Sequence, residues 1–357
     1  MRVSVVIRSK DEADRLRLTL ASLAAQAGSP EVVVVDDGSS DHTPDVLRDA
    51  GRCMSLRVLR HDVPKGRSGA SNAGARVATG DVLMFLDGDT LAGPDAVARH
   101  AAEHQRSGAI IGRGETYHMR GTRFFRNPEA GTPWPSYEAR VAALPALELA
   151  NALVTREQIE TDFAAIERRA SPGIYPGWGP HRLYDLECDA LQHHPECEVL
   201  WAACSGSNFS VARTLFLDAG GFDERLDINE HRELALRLTR RGGRMAWVEG
   251  ARAYHLTHRT GWRDPLADRT WETLFYAAHP EPAVRLLVVF WASLDSARSI
   301  PAEARIETLP QLAAAARGEG GVDYEALRRF LFAADASRSA GTATRTLSRL
   351  DHSTADS

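Results

Sequence analysis

"VLMFLDGDT", residues 82–90, runs five apolar residues straight into two aspartates held one residue apart. A short, unbroken apolar run bounded by a turn dipeptide is the pattern of a strand buried on both faces. Asp-Gly is a common turn former, and an aspartate at such a place also caps helices. Two carboxylates in one turn repel, however. The alternative is that a cation lies between Asp87 and Asp89 and that something anionic lies on the cation. What surrounds the strand decides between them.

The same design occurs twice upstream. "RVSVVIRS" (2–9) reads as a buried strand followed by Asp11 and Glu12, and "EVVVVDDGSSD" (31–41) as another that ends in Asp36 and Asp37. Between them Leu16, Leu20, Leu23 and Ala27 recur at helical spacing, and Gly28 closes that helix. "LRVLRHD" (56–62) is a short third strand, and "VPKGRSGASNAGARVATG" (63–80) a loop feeding a tightly packed helix. Alternating strands and helices predict an α/β fold, a mostly parallel sheet with helices on its faces. Ligands of such sheets bind beyond the carboxyl ends of the strands. All three acidic clusters fall at that edge, which favours the cation over the simple turn.

Composition narrows the class. The 357 residues fit one large domain or two ordinary ones, and 43% apolar with 25% charged residues is a soluble globular balance. A net charge of −5 argues against a nucleic-acid partner. The four cysteines show no C-x-x-C spacing, so reduced thiols in a cytoplasmic protein are expected. Cys188 and Cys197 with His193 and His194 lack a second ligand pair for zinc. "MRVSVVIRSKDE" has no signal-peptide core. "LLVVFWASL" (286–294) is too short for a membrane span of ~20 residues, and reads as a buried helix or a contact between copies in a homo-oligomer. The tail from 336 to 357, rich in Ser, Thr and Ala, is expected to be flexible.

Further along, "NPEAGTPWPSYE" (127–138) and "SPGIYPGWGPHRLYD" (171–185) are loops around a helical stretch, in a long insertion over 113–200. "NEHRELALRLTRRGG" (229–243) is a helix by its leucine spacing, early acids, late arginines and closing glycines. "RMAWVEGARAYHLTH" (244–258) reads as a strand pair ending in two histidines, and 263–335 as a helical extension.

These segments, in this order and spacing, resemble a GT-A fold glycosyltransferase, most closely glycosyltransferase family 2, over roughly residues 1–260. The resemblance implies a nucleotide-sugar-binding half over 1–112, an acceptor-binding insertion over 113–200 and the remainder of the catalytic domain over 201–262. It implies a nucleotide diphosphate sugar donor, with UDP favoured. The acceptor would be soluble: a small molecule, a peptide or a natural product. Asp87-Gly88-Asp89 resembles the D-x-D motif, so Mn2+ or Mg2+ would be held by Asp87 and Asp89, with Gly88 letting the backbone approach the donor. His255 matches a third metal ligand or a phosphate contact, ligation being favoured, and His258, three residues on, is its fallback and a donor-binding candidate. Ser9, Asp11, Glu12, Asp36, Asp37, Lys65, Arg67 and Asn72 fall where the family contacts base, ribose or diphosphate. Gly206, Ser207 and Asn208 of "CSGSNFSVAR" (204–213) match the lining of the donor sugar. Trp134, Trp178 and Trp201 are candidates for stacking on sugar faces.

One position departs from the family. Inverting members carry Glu-Asp where this chain has Glu230-His231, and the Asp is the base that deprotonates the acceptor. A carboxylate is replaced by an imidazole, and either Glu230 or His231 is the catalytic candidate. The segment also resembles the retaining polypeptide GalNAc-transferases; inversion is favoured. Two rival readings remain: a nucleotide-sugar-binding partner protein that has lost its base, and a sugar nucleotidyltransferase. The second is disfavoured because "IRSKDEADRL" (7–16) contains no glycine.

Overall fold

A computed structural model describes residues 1–173, 182–258, 265–295 and 298–331. The first half alternates as expected: β1 (Val3–Ser9), α1 (Ala13–Ala24), β2 (Glu31–Asp36), α2 (Thr43–Ala50), β3 (Leu56–Arg60), α3 (Gly66–Val77), β4 (Val82–Asp87), β5 (Thr90–Ala92), α4 (Ala96–Ser107) and β6 (Ile110–His118). Helix α1 stops before Gly28, which takes a positive φ in the turn that follows. The middle holds β7 (Phe125–Asn127), β8 (Thr132–Pro133), four short helices, β9 (Ser171–Pro172) and a longer helix. The short helices are α5 (Glu138–Ala142), α6 (Ala146–Ala152), α7 (Arg156–Thr161) and α8 (Phe163–Glu167); the longer one is α9 (Arg182–His193). Then come β10 (Phe209–Ala212), α10 (Arg213–Asp218), α11 (Glu230–Arg240), β11 (Arg244–His255), α12 (Thr270–Ala278), α13 (Pro282–Leu294) and α14 (Leu309–Ala316).

The main sheet runs β3-β2-β1-β4-β10-β6-β11-β5, with β9 alongside β6. β1 pairs in parallel with both β2 and β4, β6 pairs in parallel with β11, and β10 and β5 run against their neighbours. The sheet is therefore the mostly parallel one the sequence predicts, with helices on its faces and a helical C-terminal region. Strand β6 runs across residue 113, where the insertion was expected to begin. β11 is one strand rather than a pair. Gly250, at φ +71, sits in an irregularity between Trp247 and Arg252, and the Arg99 guanidinium fills the space a Cβ would need.

Period-two alternation sends each central strand's side chains to two cores. Val5, Ile7, Val82, Met84 and Leu86 face α1, α2 and α4, whereas Val6, Leu83 and Phe85 join the larger core. Behind the end of β4, Phe85 stacks on Phe209 at 4.8 Å, with Phe216 and Phe222 around it. That aromatic block fixes the strand that delivers Asp87 and Asp89. The 286–294 run lies in α13, buried along its whole length. Among the described residues no helix is long and apolar enough to cross a membrane. Trp178 and the tail 336–357 lie outside the described residues.

Candidate functional site

A cleft of about 530 Å³ opens at the carboxyl ends of β1, β2 and β4. Ser9, Asp11, Glu12, Asp37, Arg67, Asp87, Asp89, His255 and His258 line it, as the sequence suggested. So do residues the sequence did not single out for the site, among them Arg8, Arg15, His118 and Thr257.

The two aspartates of the motif have different partners. Asp87 pairs with the Arg8 guanidinium at 2.7 Å, and the same guanidinium lies 3.7 Å from Glu230. Asp89 is buried and meets two imidazoles, His258 Nε2 at 2.6 Å and His255 Nε2 at 3.2 Å. Burial opposes the Asp89 charge, yet His255 and His258 hold its carboxyl well below the usual range. Burial likewise opposes the His255 cation, and Asp89 overcomes it, raising that imidazole. Repulsion between the aspartates is thus answered by giving each its own cation.

Asp89, His255 and His258 place one ligand atom each within 4.8 Å of one another, which fits a divalent ion. One carboxylate and two imidazoles suit a borderline metal such as Mn2+ better than Mg2+, which prefers oxygen. The cluster shares Asp89 and His255 with the expected set of Asp87, Asp89 and His255 and includes the fallback His258, while Asp87 pairs with Arg8.

The histidine segment is held from far away in sequence. Arg15, buried in α1, donates to the carbonyls of Phe125 (2.8 Å), Arg126 (3.1 Å) and Leu256 (3.2 Å). The Thr257 carbonyl accepts from Thr122 Oγ1 at 3.0 Å, and the Leu256 N–H donates to the Asp89 carbonyl at 2.8 Å. His255 pairs with Thr90 across β11 and β5, so the sheet itself brings both histidines to the motif. His118 sits behind, its Nδ1 at 3.2 Å from His255 Nδ1. Gly88 has a local reason: the carboxyl of Glu12 and the Cβ of Ser9 occupy the space a side chain would enter. Burial, then the Asp89 and Asp87 charges, push the Glu12 carboxyl well above the usual range.

Other sequence candidates hold backbone. Asp36 is buried, accepts the Ser39 N–H at 2.9 Å and pairs with Arg60. Asp37 accepts the Lys65 and Gly66 N–H groups at 2.8 and 2.9 Å, fixing the entry to α3, and pairs with His61 at 2.7 Å. Asp11 accepts the Ser40 N–H at 2.7 Å. Lys65 is exposed at the start of α3. Asn72 is buried away from the cleft, donating to the Phe222 carbonyl at 2.9 Å and accepting its N–H at 2.8 Å. Asn208, fully buried, bridges the Glu115 and Ala251 carbonyls at 2.7 and 2.8 Å. Ser207 Oγ accepts the Asp87 N–H at 3.3 Å, and Gly206 packs against the His231 ring. Trp134 lines the cleft, whereas Trp201 is core, edge-on to Phe275.

Glu230 and His231 begin α11, behind the cleft lining. Burial would raise the Glu230 carboxyl, but contact with His231 and the charges of Arg8 and Arg67 outweigh it and hold it down to about 2. Burial lowers the His231 imidazole. Glu230 is thus favoured as a carboxylate, while burial disfavours the His231 cation. Glu233, one turn on, is buried against Arg237 (2.6 Å) and His279 (2.8 Å), tying α11 to the C-terminal helices.

Residues 4–170 match the model of the family described as glycosyl transferase family 2. Over 106 residues the chain is 41% identical to the validoxylamine A glucosyltransferase of Streptomyces hygroscopicus subsp. limoneus, covering 29% of this chain and 23% of that protein. A dolichol-phosphate mannosyltransferase of Pyrococcus furiosus is 31% identical over 119 residues, 33% of this chain and 34% of that one. The chain thus spans about a quarter to a third of the length of these relatives. Among solved structures, residues 1–349 of S. aureus TarS in complex with UDP align with a TM-score of 0.51 at 16% identity, over 83% of this chain and 73% of that one. The complex with UDP-GlcNAc gives 0.50 at 16% identity, over 81% and 72%. At such identity the likeness is one of fold.

Proposed function

We propose that this chain, which carries a glycosyl transferase family 2 domain of GT-A fold, transfers a sugar from a UDP-sugar to a hydroxyl of a soluble acceptor with the help of a divalent metal. One observation carries the reading: the ends of three parallel strands converge on a single cleft in which a buried carboxylate, Asp89, already faces two metal-competent imidazoles. Asp89, His255 and His258 would hold the ion, Mn2+ rather than Mg2+, and when bound it supplies charge to the departing diphosphate. Asp37, Asp11 and Arg67 line the part of the cleft assigned to the nucleotide. UDP is chosen because the fold neighbours were solved with UDP and UDP-GlcNAc.

Glu230 is assigned to the acceptor. It shares Arg8 with Asp87 of the cleft, and as a carboxylate it would orient an acceptor hydroxyl and take its proton as the new C–O bond forms. Inversion by direct displacement follows from that role. The 113–200 segment, through Trp134, shapes the acceptor side, and stacking on a sugar or acceptor ring suits an indole there.

The test is nucleotide release from UDP-glucose, UDP-GlcNAc and UDP-galactose, with Mn2+, Mg2+ or chelator. UDP release that requires Mn2+ supports the proposal. Calorimetric binding of UDP without any release would favour the partner-protein reading. Pyrophosphate release from UTP and a sugar phosphate would replace the proposal with nucleotidyl transfer.

A further inference from the structure

A second cluster of charge lies away from the cleft lining, sealed in the core. Glu187 of α9 is 0% exposed and bridges two buried guanidiniums: Arg232 Nη2 at 2.6 Å on one carboxylate oxygen and Arg113 Nη2 at 3.3 Å on the other. Arg113 is further spent on the Ala203 carbonyl (3.2 Å) and Thr116 Oγ1 (3.3 Å). Arg232 gives its Nε–H to the Ala202 carbonyl at 2.7 Å. Its Nη1 carries two hydrogens, aimed at Asn229 Oδ1 (3.0 Å) and His231 Nε2 (2.9 Å). The Trp291 ring closes the space beneath, 5.3 Å from the guanidinium carbon.

The last of these contacts fixes the chemistry of His231. A guanidinium has five donors and no acceptor, so the imidazole nitrogen it meets must offer a lone pair. Nε2 is therefore unprotonated, and the single proton of the neutral ring sits on Nδ1. That nitrogen points toward Glu230 Oε2, 3.7 Å away, and has no hydrogen-bond partner among the described residues. A slight turn of either side chain makes it a donor to the carboxylate.

We infer that Arg232, anchored by Glu187, is a positioning residue that locks His231 as an Nδ1–H donor to Glu230, so that His231 serves this site as a fixed donor and not as its proton acceptor. The inference rests on the reading of Glu230 as the acceptor-side carboxylate for its functional meaning, but the tautomer itself does not. It also gives part of the 113–200 segment a task besides acceptor contact: α9 supplies the anion that aims Arg232.

The test has a structural and a kinetic arm. In protein labelled with 15N-histidine, long-range proton–nitrogen correlation at pH 7.5 is expected to show His231 protonated at Nδ1 alone. Its signals are assigned by their loss in His231→Gln. An Nε2–H ring, or an average of both forms, overturns the inference. Arg232→Met leaves Glu187 paired with Arg113, so one acid still faces one base in the core. This variant is expected to lose the single tautomer and about tenfold or more in kcat, the cost of one charge-assisted hydrogen bond. UDP–Mn2+ affinity should stay within about twofold. A lower melting temperature with the tautomer unchanged would make Arg232 merely structural and overturn the idea.

His231→Asn places an amide N–H near the Nδ1 position and is expected to keep about a tenth of wild-type kcat, whereas removal of a true base costs about 100-fold or more. A loss of that size in His231→Asn, equal to that of His231→Ala, overturns the donor role. Should wild-type protein transfer no sugar at all, the proposed function fails while the tautomer measurement still decides the inference.

Discussion

The cleft and the sealed cluster behind it both set carboxylates against cations, yet they are built to opposite ends. In the cleft, Asp87 and Arg8 keep 29% and 15% of their side chains exposed, and Arg8 is shared with Glu230. In the core, Glu187 and Arg113 are each 0% exposed, and every oxygen of the carboxylate is committed. Charge that must meet a ligand is left with a partner it can exchange. Charge that only fixes geometry is enclosed, where a lost partner is costly because the survivor stays desolvated. The cleft should therefore report through activity and the core through stability.

Asp89→Ala is the sharpest way to break that contrast. It should lower turnover by about 10³-fold or more, within the range of removing one electrostatic element of a site. Calorimetric Mn2+ binding should vanish while the melting curve barely moves. Full activity would end the metal assignment. Asp87→Ala, whose partner is an arginine, should leave metal binding measurable.

Glu187→Ala should do the reverse. Two uncompensated guanidiniums in the core should cost about 3–5 kcal/mol in urea unfolding. A cost near zero would mean that water reaches the cluster and that it is no anchor.

A neutral sealed group sharpens the picture through pH. His100 and His104 share Ser210 Oγ at 2.8 and 2.9 Å, and burial lowers both imidazoles from 6.5 to about 4. Between those values the unfolded chain binds protons that the folded one refuses, so stability falls as pH drops from 6.5 toward 4. Melting temperatures measured from pH 7.5 to 4.5 should decline over that window, and the decline should shrink in His104→Gln. A flat profile would contradict the burial of these rings.

At the small end, Arg48→Ala removes an ion pair whose side chains are 61% and 60% exposed, and should shift stability by about 0.5 kcal/mol or less. A larger shift would blur the distinction between exchangeable and enclosed charge.

What was legible in the sequence follows the same division. Strands buried on both faces must be apolar, so β1, β2 and β4 announced themselves, and the acids after them marked the cleft edge. Arg8 and Arg15 were silent because their roles depend on partners up to 241 residues away. Glu187 was silent for the same reason, its two arginines lying 74 and 45 residues off. Asp36, Asn72 and Asn208 carry groups that bind ligands and backbone equally well, and spacing does not separate the two uses. The 244–258 run read as a strand pair where there is one strand, β11, interrupted at Gly250, and a glycine inside a strand commonly marks such a bulge.

The register of β11 against β5 carries a last consequence. A fragment ending at residue 170, where the family match stops, would contain both aspartates of the motif and neither His255 nor His258. The early strands prepare the cleft edge, but the two imidazoles of the proposed metal site arrive only with β11 and the residues just after it. During synthesis, then, the proposed three-residue metal site is incomplete until His255 and His258 have been made, and it can form only as the sheet is completed.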